Sequence, residues 1–191
     1  MKYHELLISR TDLTVLGHAL GSTWICYGME AGAQAGAYAL ECVFVQLDDC
    51  SLTIAAELVA RNVDRDREDF SRIVVHDGAD GKAEAQRAGN LFLHDAGQVV
   101  AGIHVTRDTL VGTAGTEPKF SLAVDTSVIF EFEDLTAVAF TKASFFSDDF
   151  FITRAPSVGA LEIFDGSCEW ESDLEVQYSQ SRTMLSVADL L

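Results

Sequence analysis

Two His-Asp dipeptides, His76-Asp77 and His94-Asp95, are the first residues that suggest chemistry, because metal-dependent phosphohydrolases use such a pair. Those enzymes place the pair on helices beside further ligands. Here both pairs close β-patterned runs, where neighbouring side chains point to opposite faces, so a His and the Asp after it do not converge on one ion. They read as turn residues at strand ends. The five histidines (His4, His18, His76, His94, His104) form no HxH or HExxH pattern, so no zinc site is expected. Calcium needs only oxygen ligands, and Asp48-Asp49, Glu133-Asp134 and Asp148-Asp149 are acidic turns. None has the alternating D-x-D-x-D spacing with a glycine. The sequence predicts no metal and no other cofactor.

Nucleophilic chemistry finds no better footing. GSTW (21–24) and GSC (166–168) are turn sequences, not GxSxG elbows, and no GxxxxGK[ST] or strand-following GxGxxG is present to cradle phosphate. Cys26, Cys42, Cys50 and Cys168 form no CxxC and read as reduced, mostly buried thiols. Binding, not catalysis, is the expectation.

One heptapeptide stands apart: FFSDDFF, residues 145–151, two phenylalanine pairs around an acidic tip. If Asp148-Asp149 is a two-residue turn, Phe146 pairs with Phe151 on one face and Phe145 with Ile152 on the other. Such a hairpin is apolar on both sides. Either the rest of the protein covers both faces, or one face docks a partner. The candidate partner-binding residues are therefore Phe145, Asp148, Asp149 and Phe151, with Glu131 and Glu133 of the run VIFEFED.

The elements that must carry these residues are strands. VIFEFED sets Val128, Phe130 and Phe132 on one face and Ile129, Glu131 and Glu133 on the other. VFVQLDDCSLTIAAEL reads as a hairpin around Asp48-Asp49, with Leu47 facing Cys50 and Cys42 facing Ala55. Alternation predicts strands near 14–20, 23–28, 37–47, 50–59 and 70–76, then 98–105, 108–112, 120–133, 136–146, 150–154 and 160–164. Helix is confined to KAEAQRAG (82–89), stopping at Gly89, and the tail beyond 174 reads as strand. GMEAGAQAGA (28–37) reads as a hairpin loop, and DRDRED (64–69) as a solvated loop or helical turn.

A weak self-similarity runs through this pattern. TVLGHAL (14–20) aligns with VVAGIHV (99–105) at an offset of 85, and VFVQLDD (43–49) with VIFEFED (128–134) at the same offset. This predicts one domain over residues 1–191, built from two similar antiparallel β units, 1–95 and 96–191, that share one core. The fold class is mainly β, sandwich-like or a partly open barrel, with little helix.

Length and charge bound the function. A chain of 191 residues is long enough to bury a real core. Thirteen Lys and Arg against thirty Asp and Glu give a net charge of −17, which repels nucleic acid and anionic membranes and draws in basic proteins. The N-terminal stretch has no apolar run of the kind a signal peptide carries, and no apolar run reaches about 18 residues, so a cytoplasmic location is expected. The reading is an acidic module that binds a basic protein partner, such as an immunity protein neutralising a toxin. The competing reading is a small-molecule-binding β-barrel or enzyme whose apolar pocket is lined by some of the twelve phenylalanines.

Overall fold

The computed structural model describes residues 1–29, 38–63, 66–80, 82–163 and 177–191. Residues 30–37 of the loop proposed at 28–37, the start of DRDRED, the GSC turn with Cys168, and the tail as far as 176 lie outside these residues.

The chain begins with β1 (Lys2–Leu6) and α1 (Arg10–Gly17). It continues through β2 (Trp24–Gly28), β3 (Tyr38–Ala39), β4 (Cys42–Leu47), β5 (Ser51–Val63), β6 (Asp66–Asp77), α2 (Lys82–Ala88) and β7 (Leu91–Phe92). The second half supplies β8 (Val100–Ala114), β9 (Glu117–Phe132), β10 (Ala137–Lys142), β11 (Phe150–Ala155), β12 (Gln177–Ser186) and α3 (Val187–Leu190), with a 3-10 turn at Val158–Ala160. Two sheets form: one in the order β6-β5-β4-β2-β7, the other β12-β8-β9-β10-β11-β3. The expected mainly β fold is present as a sandwich-like pair of antiparallel sheets, not as a closed barrel.

Strand β9 is the spine of the larger sheet. β8 pairs with it along almost its whole length. Its other edge is shared end to end by β10 at Ser127–Glu131 and by β1, parallel, at Phe120–Val124. The β4–β5 hairpin has the register expected from its Asp-Asp turn, with Cys42 opposite Ala55 and the Leu47 amide donating to the Cys50 carbonyl at 2.9 Å. The turn after Phe132 is also where alternation put it, with Leu135 in the left-handed region at φ 72°.

Several expectations of secondary structure fail. Residues 14–20 are not a strand: Ser9 caps α1, its Oγ accepting from the Asp12 amide at 3.1 Å, and Leu13 and Leu16 are buried on one helical face. Because TVLGHAL starts within a helix and VVAGIHV is strand, the internal repeat is not confirmed. Residues 100–112 fall on one strand rather than two, residues 66–69 of the expected DRDRED loop belong to β6 and pair with β5, and 158–160 is a 3-10 turn where a strand from 160 was expected.

The main core lies between the sheets. Trp24 sits edge-on to Phe130 and Phe132, with ring centroids 5.2 and 5.3 Å away, and Phe140 packs against Phe130 and Tyr27. These phenylalanines fill the interior by packing on one another and on Trp24. Gly28 is required where β2 pairs with β4, since a Cβ there would lie 2.5 Å from the Phe44 ring, which packs with Cys26 and Ala85 in a small separate cluster.

A second cluster joins Leu6, Phe70, Leu110, Phe120, Leu122, Val124 and Phe145. It uses the opposite face of the long strands. On β8, Ile103 and Val105 belong to the main core while Leu110 belongs to the second cluster, and alternation places odd and even residues on opposite faces. β9 keeps step through a bulge: Thr106 pairs with Ser127 but Arg107 with Asp125, leaving Thr126 as one extra residue. The β5–β6 ribbon makes the same change, Ile54 and Ile73 facing the main core and Phe70 the second cluster. Both ribbons thus exchange buried faces part-way along their length.

Candidate functional site

The acidic turns of the two sheets meet at one end. The Asp48 amide donates to the Thr23 carbonyl at 3.0 Å, and the Thr23 amide donates to Asp48 Oδ1 at 2.8 Å. Thr23 is bridged to Val99, whose carbonyl accepts from the Glu133 amide at 3.0 Å. Backbone bonds therefore tie the β4–β5 tip to the β9–β10 tip, and Asp48, Asp49, Glu133 and Asp134 all face solvent there. Hydrogen bonds from Thr23 hold the Asp48 carboxyl below the usual carboxylate range. Those from the Thr136 hydroxyl and amide do the same for Asp134. Both stay ionised well into acid. Cys50 lies behind this end, and burial, with Asp49 beside it, pushes its thiol up to about 11. Its protonated form is no nucleophile at neutral pH. Among the described residues no group of three His, Cys, Asp or Glu is placed to hold a metal ion.

The six residues selected from sequence do not form one surface. Phe145 is buried in the second cluster. The FFSDDFF hairpin is not built as expected: β10 ends at Lys142, opposite Phe150, so residues 143–149 form the connection and Thr141, not Phe146, faces Phe151. Ser144 starts the turn early, its Oγ accepting from the amides of Phe146 and Ser147, both at 2.9 Å. Asp149 accepts from the Tyr38 hydroxyl, and chiefly for that reason the Tyr38 phenol is pushed up to about 12. Asp148 is half-buried, and Phe151, 37% exposed, lies beside Tyr38 with ring centroids 5.4 Å apart. Glu131 is engaged by His104 Nε2 at 2.8 Å on the outer face of the larger sheet. Gly102 leaves room for that pair, since a Cβ there would come within 3.1 Å of Glu131 Oε2. Only Glu133 belongs to the acidic end. β10 separates it from Asp148, Asp149 and Phe151 by about 16 Å, the rise of the five steps from Ala137 to Lys142.

The most unusual chemistry lies where the ribbons exchange faces, and alternation is the signal that could have found it. In AVAFTK, Val138, Phe140 and Lys142 share the inward face, so a lysine continues an apolar row. Lys142 is 2% exposed, and its Nζ donates to the Ser71 carbonyl on β6 at 2.5 Å. Burial pushes its ammonium down to about 7, against the opposing pull of Asp125 and Asp108. Both aspartates are themselves buried and already matched. Asp125 accepts from Arg107 Nε at 2.8 Å and Nη2 at 3.2 Å and from the Ile8 amide at 2.8 Å. Asp108 accepts from Arg182 Nε and Nη2, both at 2.7 Å, while Thr126 Oγ lies 3.3 Å from its Oδ2. Arg107 and Asp108 are neighbours on β8, so alternation sets Arg107–Asp125 and Asp108–Arg182 on opposite sides of the ribbon. Sequence reasoning missed all three of Lys142, Asp108 and Asp125, because pairing across distant strands leaves no local motif.

Comparison with known protein families, with curated proteins and with solved structures found no match. No helix among the described residues is long and apolar enough to cross a membrane.

Proposed function

We propose that this chain binds a basic protein partner through its acidic end, in the manner of an immunity protein that neutralises a basic toxin. The observation that carries the reading is the backbone link from Asp48 through Thr23 and Val99 to Glu133, which presents carboxylates from both sheets as one rigid group. Rigid, exposed carboxylates suit fast electrostatic capture of a cationic surface, because little ordering is needed on contact. The chain's cations do little to offset them. Arg72, Lys119, Arg154, Arg107 and Arg182 are each committed to a carboxylate of their own, at Glu57, Glu117, Asp95, Asp125 and Asp108.

The test is co-expression with the basic product of the adjacent gene, followed by titration of the two purified proteins. A complex should form whose Kd weakens at least tenfold between about 0.05 and 0.3 M salt. Joint replacement of Asp48→Asn, Asp49→Asn, Glu133→Gln and Asp134→Asn should slow association while leaving the fold intact. A complex insensitive to both salt and the four substitutions would overturn the reading, as would failure to relieve toxicity on co-expression.

A further inference from the structure

Ser71 is held by three bonds from one short stretch of the larger sheet. Its amide donates to the Phe145 carbonyl at 2.8 Å, its hydroxyl to the Ser144 carbonyl at 3.4 Å, and its carbonyl accepts from Lys142 Nζ at 2.5 Å. Strand β6 pairs with β5 on one edge only, so this clasp is what fastens its other edge to the opposite sheet. The charges around the clasp balance without Lys142. From β8 come Asp108 and Arg107, from β9 Asp125 and from β12 Arg182, two cations against two anions, each aspartate bound by its own arginine. β6 contributes only the Ser71 carbonyl. A neutral amine needs no counter-ion and places one of its two N–H groups on that acceptor. Protonation would add one uncompensated positive charge and a third N–H donor, in a place where both carboxylates are already taken.

We infer that Lys142 is a proton-operated latch between the two sheets: the neutral amine holds the β6 edge closed, and uptake of a proton from solvent releases Ser71. Opening lets the ammonium reach water, so falling pH favours the open form. The shift of the Lys142 ammonium to about 7 sets the window. Between the ordinary lysine range and pH 7 the open form binds more protons than the closed one, and below pH 7 both are charged and the bias no longer grows. The latch therefore tightens as pH rises above neutral.

Amide hydrogen exchange reads this at a single site. The Ser71 amide belongs to the clasp, while the amide of Val74, buried on the same strand and turned towards Ala55 of β5, serves as a reference. Relative to Val74, Ser71 protection should fall about tenfold per pH unit from pH 9 to pH 7, then level off. In Lys142→Met the same ratio should stay flat. A ratio independent of pH in the unaltered protein, or an equal decline in Lys142→Met, would overturn the latch. Should Lys142→Met not fold, a titration of the unaltered protein labelled at lysine Cε replaces it. The Lys142 Cε and Ser71 amide signals must then move with a common midpoint, and separate midpoints refute the proposal.

Discussion

The molecule has two interiors built on different rules. Between the sheets, Trp24, Phe130, Phe132 and Phe140 interlock as an apolar core. Where the ribbons exchange faces, buried Thr106, Asp108, Asp125, Thr126, Ser127 and Lys142 replace such rings. The first place is stabilised by area removed from water, and any apolar shape that fits would serve. The second depends on the partners of its charged groups, which are costly if left alone, while the buried hydroxyls of Thr106 and Ser127 have no hydrogen-bond partner among the described residues. A strand that turns its other face inward must pass through residues that belong to neither interior. That is where the polar set sits.

The sharpest way to break the comparison is to remove its apolar half. Trp24→Ala should cost about 4 kcal/mol, read as a lower midpoint in chemical denaturation, because the ring is fully buried and its aromatic neighbours cannot close the gap. The opposite sign is expected at the polar half. Lys142→Met should raise stability at pH 7 by about 3 kcal/mol, because it removes a group whose ammonium the folded state disfavours. The folded Lys142 pKa lies below the unfolded one, so the unaltered protein gains stability from pH 7 up to the ordinary lysine range. The advantage of Lys142→Met must shrink over the same interval and vanish near its top. An advantage independent of pH would mean that packing, not charge, separates the two interiors. The smallest effect is expected outside both. Phe151→Asp, at a side chain more than one-third exposed, should change stability by less than about 1 kcal/mol in a thermal melt.

Legibility in the sequence followed the range of the interactions. The β4–β5 register could be read because an Asp-Asp turn and strict alternation fix it within some twenty residues. Residues 9–12, Ser-Arg-Thr-Asp, carry a helix-capping signal, yet the β-branched run after them was read as strand. In FFSDDFF the acidic pair drew attention as the turn, whereas Ser144, just before it, had already captured two amides and widened the loop to seven residues. The acidic end was legible in its parts, as acidic turns, but not as a surface. Its assembly depends on the Thr23–Val99 bridge, which joins residues 76 positions apart. Lys142 was visible only as a broken apolar row.

The exchange of buried faces has a consequence for how the protein comes apart. In a plain sandwich a satellite cluster can melt while the main core persists. Here β8, β9 and β6 each contribute to both clusters, and Val59 ties β5 of the main core to the second, so these four strands cannot leave one cluster without leaving the other. Denaturation followed through Trp24, in the main core, and through Tyr178, packed against the second hydrophobic cluster, should trace superimposable curves. These two clusters are expected to unfold in a single cooperative transition.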